Sequence, residues 1–121
     1  MSGRSILAVQ LAQALPDWQI VSDARQIDTV QRPGACILWT EKVTRPAKLG
    51  LDYMQDEITL WVLTPVDRPQ DIENSLDDLL LAVFEALETL EQFAWTEAER
   101  GVLAEKFHGW RVPITCMYKI N

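Results

Sequence analysis

Residues Pro69 to Gln92 read PQDIENSLDDLLLAVFEALETLEQ, with seven acids (Asp71, Glu73, Asp77, Asp78, Glu85, Glu88 and Glu91) and no Lys or Arg. At about 100° per residue, Ile72, Leu76, Leu79, Leu80, Val83, Leu87 and Leu90 fall on one side of a helix, and the acids take most of the other. The spacing predicts a helix over 69–92 that packs one face on a core and turns a purely anionic face outward. Elsewhere eleven acids balance eleven bases, so this one segment carries the whole formal charge of -7.

That face is electrostatically costly. Asp71 and Glu73 suit the positive N-terminal end of the helix dipole, but Glu85, Glu88 and Glu91 crowd the negative end, where cations are favoured. The like-charge neighbours Glu73/Asp77, Glu85/Glu88 and Glu88/Glu91 each cost roughly 0.2 to 0.5 kcal/mol. Their sum of about 1 kcal/mol is tolerable in a domain stable by ~5 to 15 kcal/mol. The face reads either as a solvated surface that aids solubility or as a contact surface. Leu81, projecting among Asp77, Asp78, Glu85 and Glu88, favours the second, although a lone exposed leucine is common.

Upstream of the helix, Ile58 to Thr64 (ITLWVLT) is an apolar strand stopped by Pro65, and Arg68-Pro69 opens the helix, with proline acceptable in its first turn. Ala35 to Thr40 (ACILWT) is a second strand, apolar on both faces, entered through the turn Arg32-Pro33-Gly34. The two pair as a central antiparallel hairpin whose long polar tip, Glu41 to Glu57, holds Lys42, Arg45 and Lys48. Further upstream, Ser5 to Leu15 has a helical pattern ended by Pro16, and Trp18 to Ser22 is a short strand.

Downstream, Phe93 to Trp95 and Arg100 to Ala104 are weaker strands. In Trp110 to Ile120, Trp110, Val112, Ile114, Cys116, Tyr118 and Ile120 alternate with Arg111, Pro113, Thr115, Met117 and Lys119, the period of a half-buried strand. Pro113 lacks an N–H and predicts an edge or a bulge there. The order of elements gives an α+β fold: one domain over 1–121, a mostly antiparallel sheet, and the N-terminal helix and long acidic helix packed on one face.

A chain of 121 residues, 48% hydrophobic and 24% charged, fits one globular core without internal repeats. Its pI near 4.6 argues against broad binding to nucleic acid or anionic membrane, which need basic surfaces. No run approaches the ~20 apolar residues of a membrane span, and Ile6 to Val9 is too short for a signal-peptide core, so the protein is expected to stay where it is made. Cys36 and Cys116 sit in apolar strand-like runs without metal-ligand spacing and read as small buried hydrophobes.

Chemistry is hard to find. No nucleophile and base, phosphate-cradling glycine loop or clustered metal ligands occur at a recognisable spacing, so no catalytic, cofactor-binding or metal residue is assigned and a non-enzymatic role is expected. The sole histidine, His108, stands in a turn without a sequence-level partner. Trp18, Trp39, Trp61, Trp95 and Trp110 read as core or subunit-interface residues, since base stacking needs accompanying cations. Lys42, Arg45 and Lys48 read either as a solvated hairpin end or as a basic contact for an acidic partner surface.

The element order, with the segment Thr64 to Leu90 (TPVDRPQDIENSLDDLLLAVFEALETL) and the closing strand Trp110 to Ile120, resembles the tail terminator proteins of long-tailed bacteriophages over nearly the whole chain. The resemblance implies a structural protein of the virion's tail-neck region, assembled in the host cytoplasm. It implies a homo-hexameric ring that caps the tail tube, stops tube polymerisation and joins the head–tail connector protein. DNA would pass through such a ring without specific binding. Ring closure uses a heterologous interface, one patch meeting a different patch of the next copy. Lys42, Arg45 and Lys48 are the expected subunit or tube contact, and Asp77, Asp78, Leu81, Glu85 and Glu88 the expected partner-facing or lumen-facing surface. Another phage neck or tail-completion protein, or a small cytoplasmic ligand-binding or regulatory domain, remain the alternatives.

Overall fold

Ser2 and Asp56 together start the first helix. The Ser2 hydroxyl accepts the Ser5 N–H at 3.2 Å, and the buried Asp56 carboxylate accepts the Gly3 N–H at 3.0 Å. Two of the orphan donors of a helix N-terminus are thereby satisfied. The computed structural model describes residues 2–23, 25, 26, 30, 34–45, 53–64 and 68–119. Along these run α1 (Gly3–Ala14), β1 (Gln19–Val21), β2 (Ala35–Thr44), β3 (Tyr53–Thr64), α2 (Pro69–Glu88), β4 (Phe93–Trp95), β5 (Glu99–Leu103) and β6 (Phe107–Lys119). The fold is α+β, one small domain with the helices packed on a six-stranded sheet.

The strands lie in the order β1-β2-β3-β6-β4, with β5 also paired to β6. Only β1 and β2 are parallel; every other pair is antiparallel. β2 and β3 form the expected central hairpin, but both strands run further into the polar segment than their composition suggests. Cross-strand pairing extends them: Lys42 stands opposite Glu57, Val43 opposite Asp56 and Thr44 opposite Gln55. An opposite-charge pair and two β-branched residues offset the polarity of the stretch. Lys42 therefore belongs to a strand and not to a hairpin tip. Pro46, Lys48 and Gly50, like Arg32, Pro33 and Pro65, lie outside the described residues.

Both faces of the central strands are buried, each in its own cluster. Cys36, Leu38, Ile58, Leu60, Val62, Val112, Ile114 and Cys116 face the helices and pack with Leu7 and Leu11 of α1 and Val83, Ala86 and Leu87 of α2. On the opposite face Ala35, Ile37, Trp61, Leu63 and Phe107 gather with Val21 and Val30, and no helical residue belongs to this cluster among the described residues. Gly34, at φ +82°, turns the chain into β2 with a backbone that favours glycine. A Cβ there would also meet the Trp18 ring at 3.1 Å.

Other positions also differ from the sequence reading: β6 begins at Phe107, so His108 lies in a strand opposite Thr64 and Val102 and not in a turn. The acidic helix ends at Glu88, not Gln92: the Thr89 hydroxyl donates to the Ala86 carbonyl at 2.7 Å, and the Leu90 N–H donates to the Leu87 carbonyl. The turn stays close to helical spacing, so Leu90 still packs on the core and the apolar periodicity overruns the helix. Pro113, expected at an edge or bulge, lies in β6, an interior strand paired with β3 through Thr59. On its other side β5 pairs with 107–111 and β4 with 114–116. Pro113 thus occupies the break between them, where no N–H is required.

Candidate functional site

The rotation of α2 about its axis is fixed by its inner contacts. The Trp110 indole N–H donates to the Leu76 carbonyl at 3.2 Å, and Phe84 stacks on Trp95 with ring centroids 3.9 Å apart and 12° between planes. Asp77, Asp78, Leu81, Glu85 and Glu88 are consequently all exposed, and Leu81 keeps 59% of its surface in solvent. Glu91 is exposed too, but in the turn after the helix, so it does not load the helix terminus as the sequence suggested.

The face is also less purely anionic than its own residues imply. Arg100 of β5 reaches Glu73 at 2.7 Å, and its guanidinium lies 5.4 Å from the centre of the Trp110 ring. The Arg100 hydrogen bond holds the Glu73 carboxyl below the usual glutamate range. Asp77, about one turn further on, adds a weaker attraction to the same guanidinium. The other acids around Leu81 lie further along the helix.

The basic residues are placed elsewhere. Lys42 is exposed in β2, in the same row as Glu57 and Thr115, on the helix-free face; Arg45 is exposed immediately after the strand. Lys48, the third predicted contact residue, lies outside the described residues. Lys42 thus lies on the opposite side of the sheet from the acids of α2, beside Glu57, and the described residues do not bring the two predicted groups together.

A polar groove that sequence reasoning missed lies on the helix-free face. Pairing between β2 and β3 shifts register between Thr40 and Lys42, leaving Glu41 as the extra residue of a bulge. The bulge aims its carboxylate so that it accepts the Trp39 indole N–H at 2.5 Å and the Thr59 hydroxyl at 2.8 Å. These two donors hold the Glu41 carboxyl below its ordinary range, with Arg111 adding a smaller attraction. Glu41, Glu57, Thr59, Arg111, Pro113 and Thr115 line an open groove of about 440 Å³. Only the short spacing Trp39-x-Glu41 hints at it in the sequence, and a bulge has no signature there.

Asp56 is the other residue not foreseen. It is 1% exposed, and beyond capping α1 it sits near Tyr118 and Cys116. Burial, with a further push from Asp56, raises the Tyr118 phenol; burial first and Asp56 second raise the Cys116 thiol to about 11, and burial alone takes Cys36 to about 12. Both thiols are buried and protonated at neutral pH, a poor state for nucleophilic attack. Among the described residues no three His, Cys, Asp or Glu side chains gather as metal ligands, and no helix is long and apolar enough to cross a membrane. No protein-family model matches this chain, and no curated protein matches it.

Proposed function

We propose that this protein is a structural, ring-forming subunit that caps the tail tube of a long-tailed bacteriophage and offers the surface to which the head connector joins. The observation that carries this reading is the separation of two unlike surfaces on one small subunit. An acid-ringed leucine, Leu81, stands exposed on α2, and the exposed cation Lys42 stands on the far side of the sheet, with Arg45 exposed just beyond its strand. Unlike patches on one subunit are what a heterologous, closing interface needs. The order helix, hairpin, long helix, closing strand agrees with the resemblance. An anionic surface is also suited to a channel through which DNA slides without sticking.

The experiment is the native mass of the purified protein over a range of concentrations, with negative-stain images of the largest species. Each subunit has a mass of 13.8 kDa. Six of them closed by rotation give a ring of about 83 kDa. A species of that mass with a central hole supports the reading. A monomer at every concentration, and still a monomer when mixed with tail tubes, sinks it.

A further inference from the structure

The residue rows of the sheet run from β2 on one side to β4 on the other. Lys42 pairs with Glu57, Glu57 with Thr115 and Thr115 with Ala94; the next row is Val43, Asp56, Cys116 and Phe93. β2 and β4 therefore end the same rows at opposite edges. β1 covers β2 only from Ala35 to Ile37, so among the described residues neither Leu38 to Thr44 nor β4 has a strand on its outer side. Unpaired N–H and C=O groups along such edges are a ready template for another strand.

The two edges match in direction, face and charge. Strand sense alternates from β2 through β3 and β6 to β4, so β4 of one copy would meet β2 of the next as an antiparallel neighbour. Lys42 and Ala94 share the helix-free face, and Val43 and Phe93 share the helix face, so a continued sheet keeps the helices of every copy on one side. Val43, 47% exposed at the edge, would gain a covering strand. Continuing the rows by two residues sets Glu91 against Arg45. In the other direction Glu97 approaches a notch where the chain leaves β1, lined by Arg4, Ser22, Asp23, Arg25, Trp39 and Thr40. A lysine and a bulge at an edge commonly guard against indiscriminate pairing; a strand flanked by acids is the kind that such an edge still admits.

We propose that copies of this chain join edge to edge, the outer side of Leu38 to Thr44 in one copy pairing antiparallel with Gln92 to Thr96 of a second copy. This rests on the reading of the protein as a self-assembling subunit and names the contact through which it assembles.

The test is a double variant, Lys42→Cys with Ala94→Cys, oxidised at concentrations where the wild type assembles. Opposed residues of an antiparallel pair have Cα atoms about 4.5 to 5.5 Å apart, within the ~4.4 to 6.8 Å that a disulfide spans. Within one chain the same positions lie three strand spacings apart, roughly 14 Å, too far to be linked. Cys36 and Cys116 are buried and do not compete. Thr44→Cys with Ala94→Cys covers a stagger of two residues. The expected result is a ladder of reductant-sensitive multimers from one of the double variants and none from the single ones. Rings that form normally while neither pair links overturn the edge contact and leave the ring reading standing. An unlinked monomer at all concentrations overturns both, and a ladder without a closed species supports the edge contact while counting against the ring.

Discussion

At the scale of the residue, two side-chain environments carry sharp consequences. Gly109 in β6 lies against β3, and a Cβ there would stand 2.4 Å from the Val62 carbonyl oxygen and 2.8 Å from Leu63 Cδ2. A carbonyl in a paired strand has nowhere to retreat, so Gly109→Ala is expected to destabilise the domain by about 1 to 3 kcal/mol, read as a lower urea midpoint at unchanged slope; an unaltered midpoint would mean the two strands separate more easily than their register implies. Glu41 gives a pH dependence. Its carboxyl in the folded protein lies below the ordinary 4.5, so its contribution to stability is complete above that value and is lost as pH falls through the lower, folded one. Glu41→Gln should therefore flatten part of the decline in stability as pH falls below the ordinary glutamate value, and the same decline in both proteins would remove the role assigned to its two donors. Neither environment is legible in the sequence, because each depends on what faces the residue across the sheet. Asp56 is an intermediate case: it shares parity with Ile58, Leu60 and Val62, so alternation places it on the helix face, but only the fold reveals Gly3 as its partner.

At the scale of the element, long and strongly periodic segments were the readable ones. The apolar stripe of α2 follows from spacing alone: Ile72, Leu76, Val83 and Leu87 are buried, and Leu79 and Leu80 pack against the core. The end of the helix was not readable, because a turn held by Thr89 and Leu90 mimics one more helical repeat. Nor was the length of β2 and β3, which pairing extends through residues of polar type. Arg100 belongs to the same category: it is 27 residues from Glu73 in sequence and reaches it only because β5 folds back beside β6 under α2. The outer face of α2 yields a prediction of its own. Leu81 is 59% exposed and belongs to no core cluster. Leu81→Asp should therefore leave the fold intact, lowering stability only by about 1 to 2 kcal/mol through the new like-charge neighbours Asp77, Asp78 and Glu85 and the weaker helix propensity of Asp. On the proposed function it should nevertheless impair joining to the partner structure in an assembly assay. A subunit that unfolds on this change would make Leu81 a core residue in disguise, and one that still joins normally would return the acidic face to the role of a solvated surface.

At the scale of the whole molecule, the proposed assembly turns on charge and on where it is held. On the proposed function, the acids of α2 and Lys42 of β2, which lie on opposite sides of one sheet, would meet unlike surfaces of a second copy or of the tail tube. Replacing Lys42, Arg45 and Lys48 together should weaken that contact, and the structure decides how the replacement is best made. Glu at position 42 would stand directly opposite Glu57 in the hairpin. A like-charge cross-strand pair costs roughly 0.2 to 1 kcal/mol on its own. Lys42→Gln with Arg45→Glu and Lys48→Glu avoids that cost while still reversing the local charge. The expected outcome is assembly that requires markedly higher protein concentration, with the isolated subunit losing no more than the one Lys42–Glu57 cross-strand pair contributes, roughly 0.2 to 1 kcal/mol. Because the contact is between exposed charges, raising the salt concentration should weaken assembly of the wild type towards that of the variant and affect the variant much less. Equal assembly of the two proteins at low salt would remove these cations from the interface, and a larger fall in the thermal midpoint would show that they act through the stability of the hairpin instead.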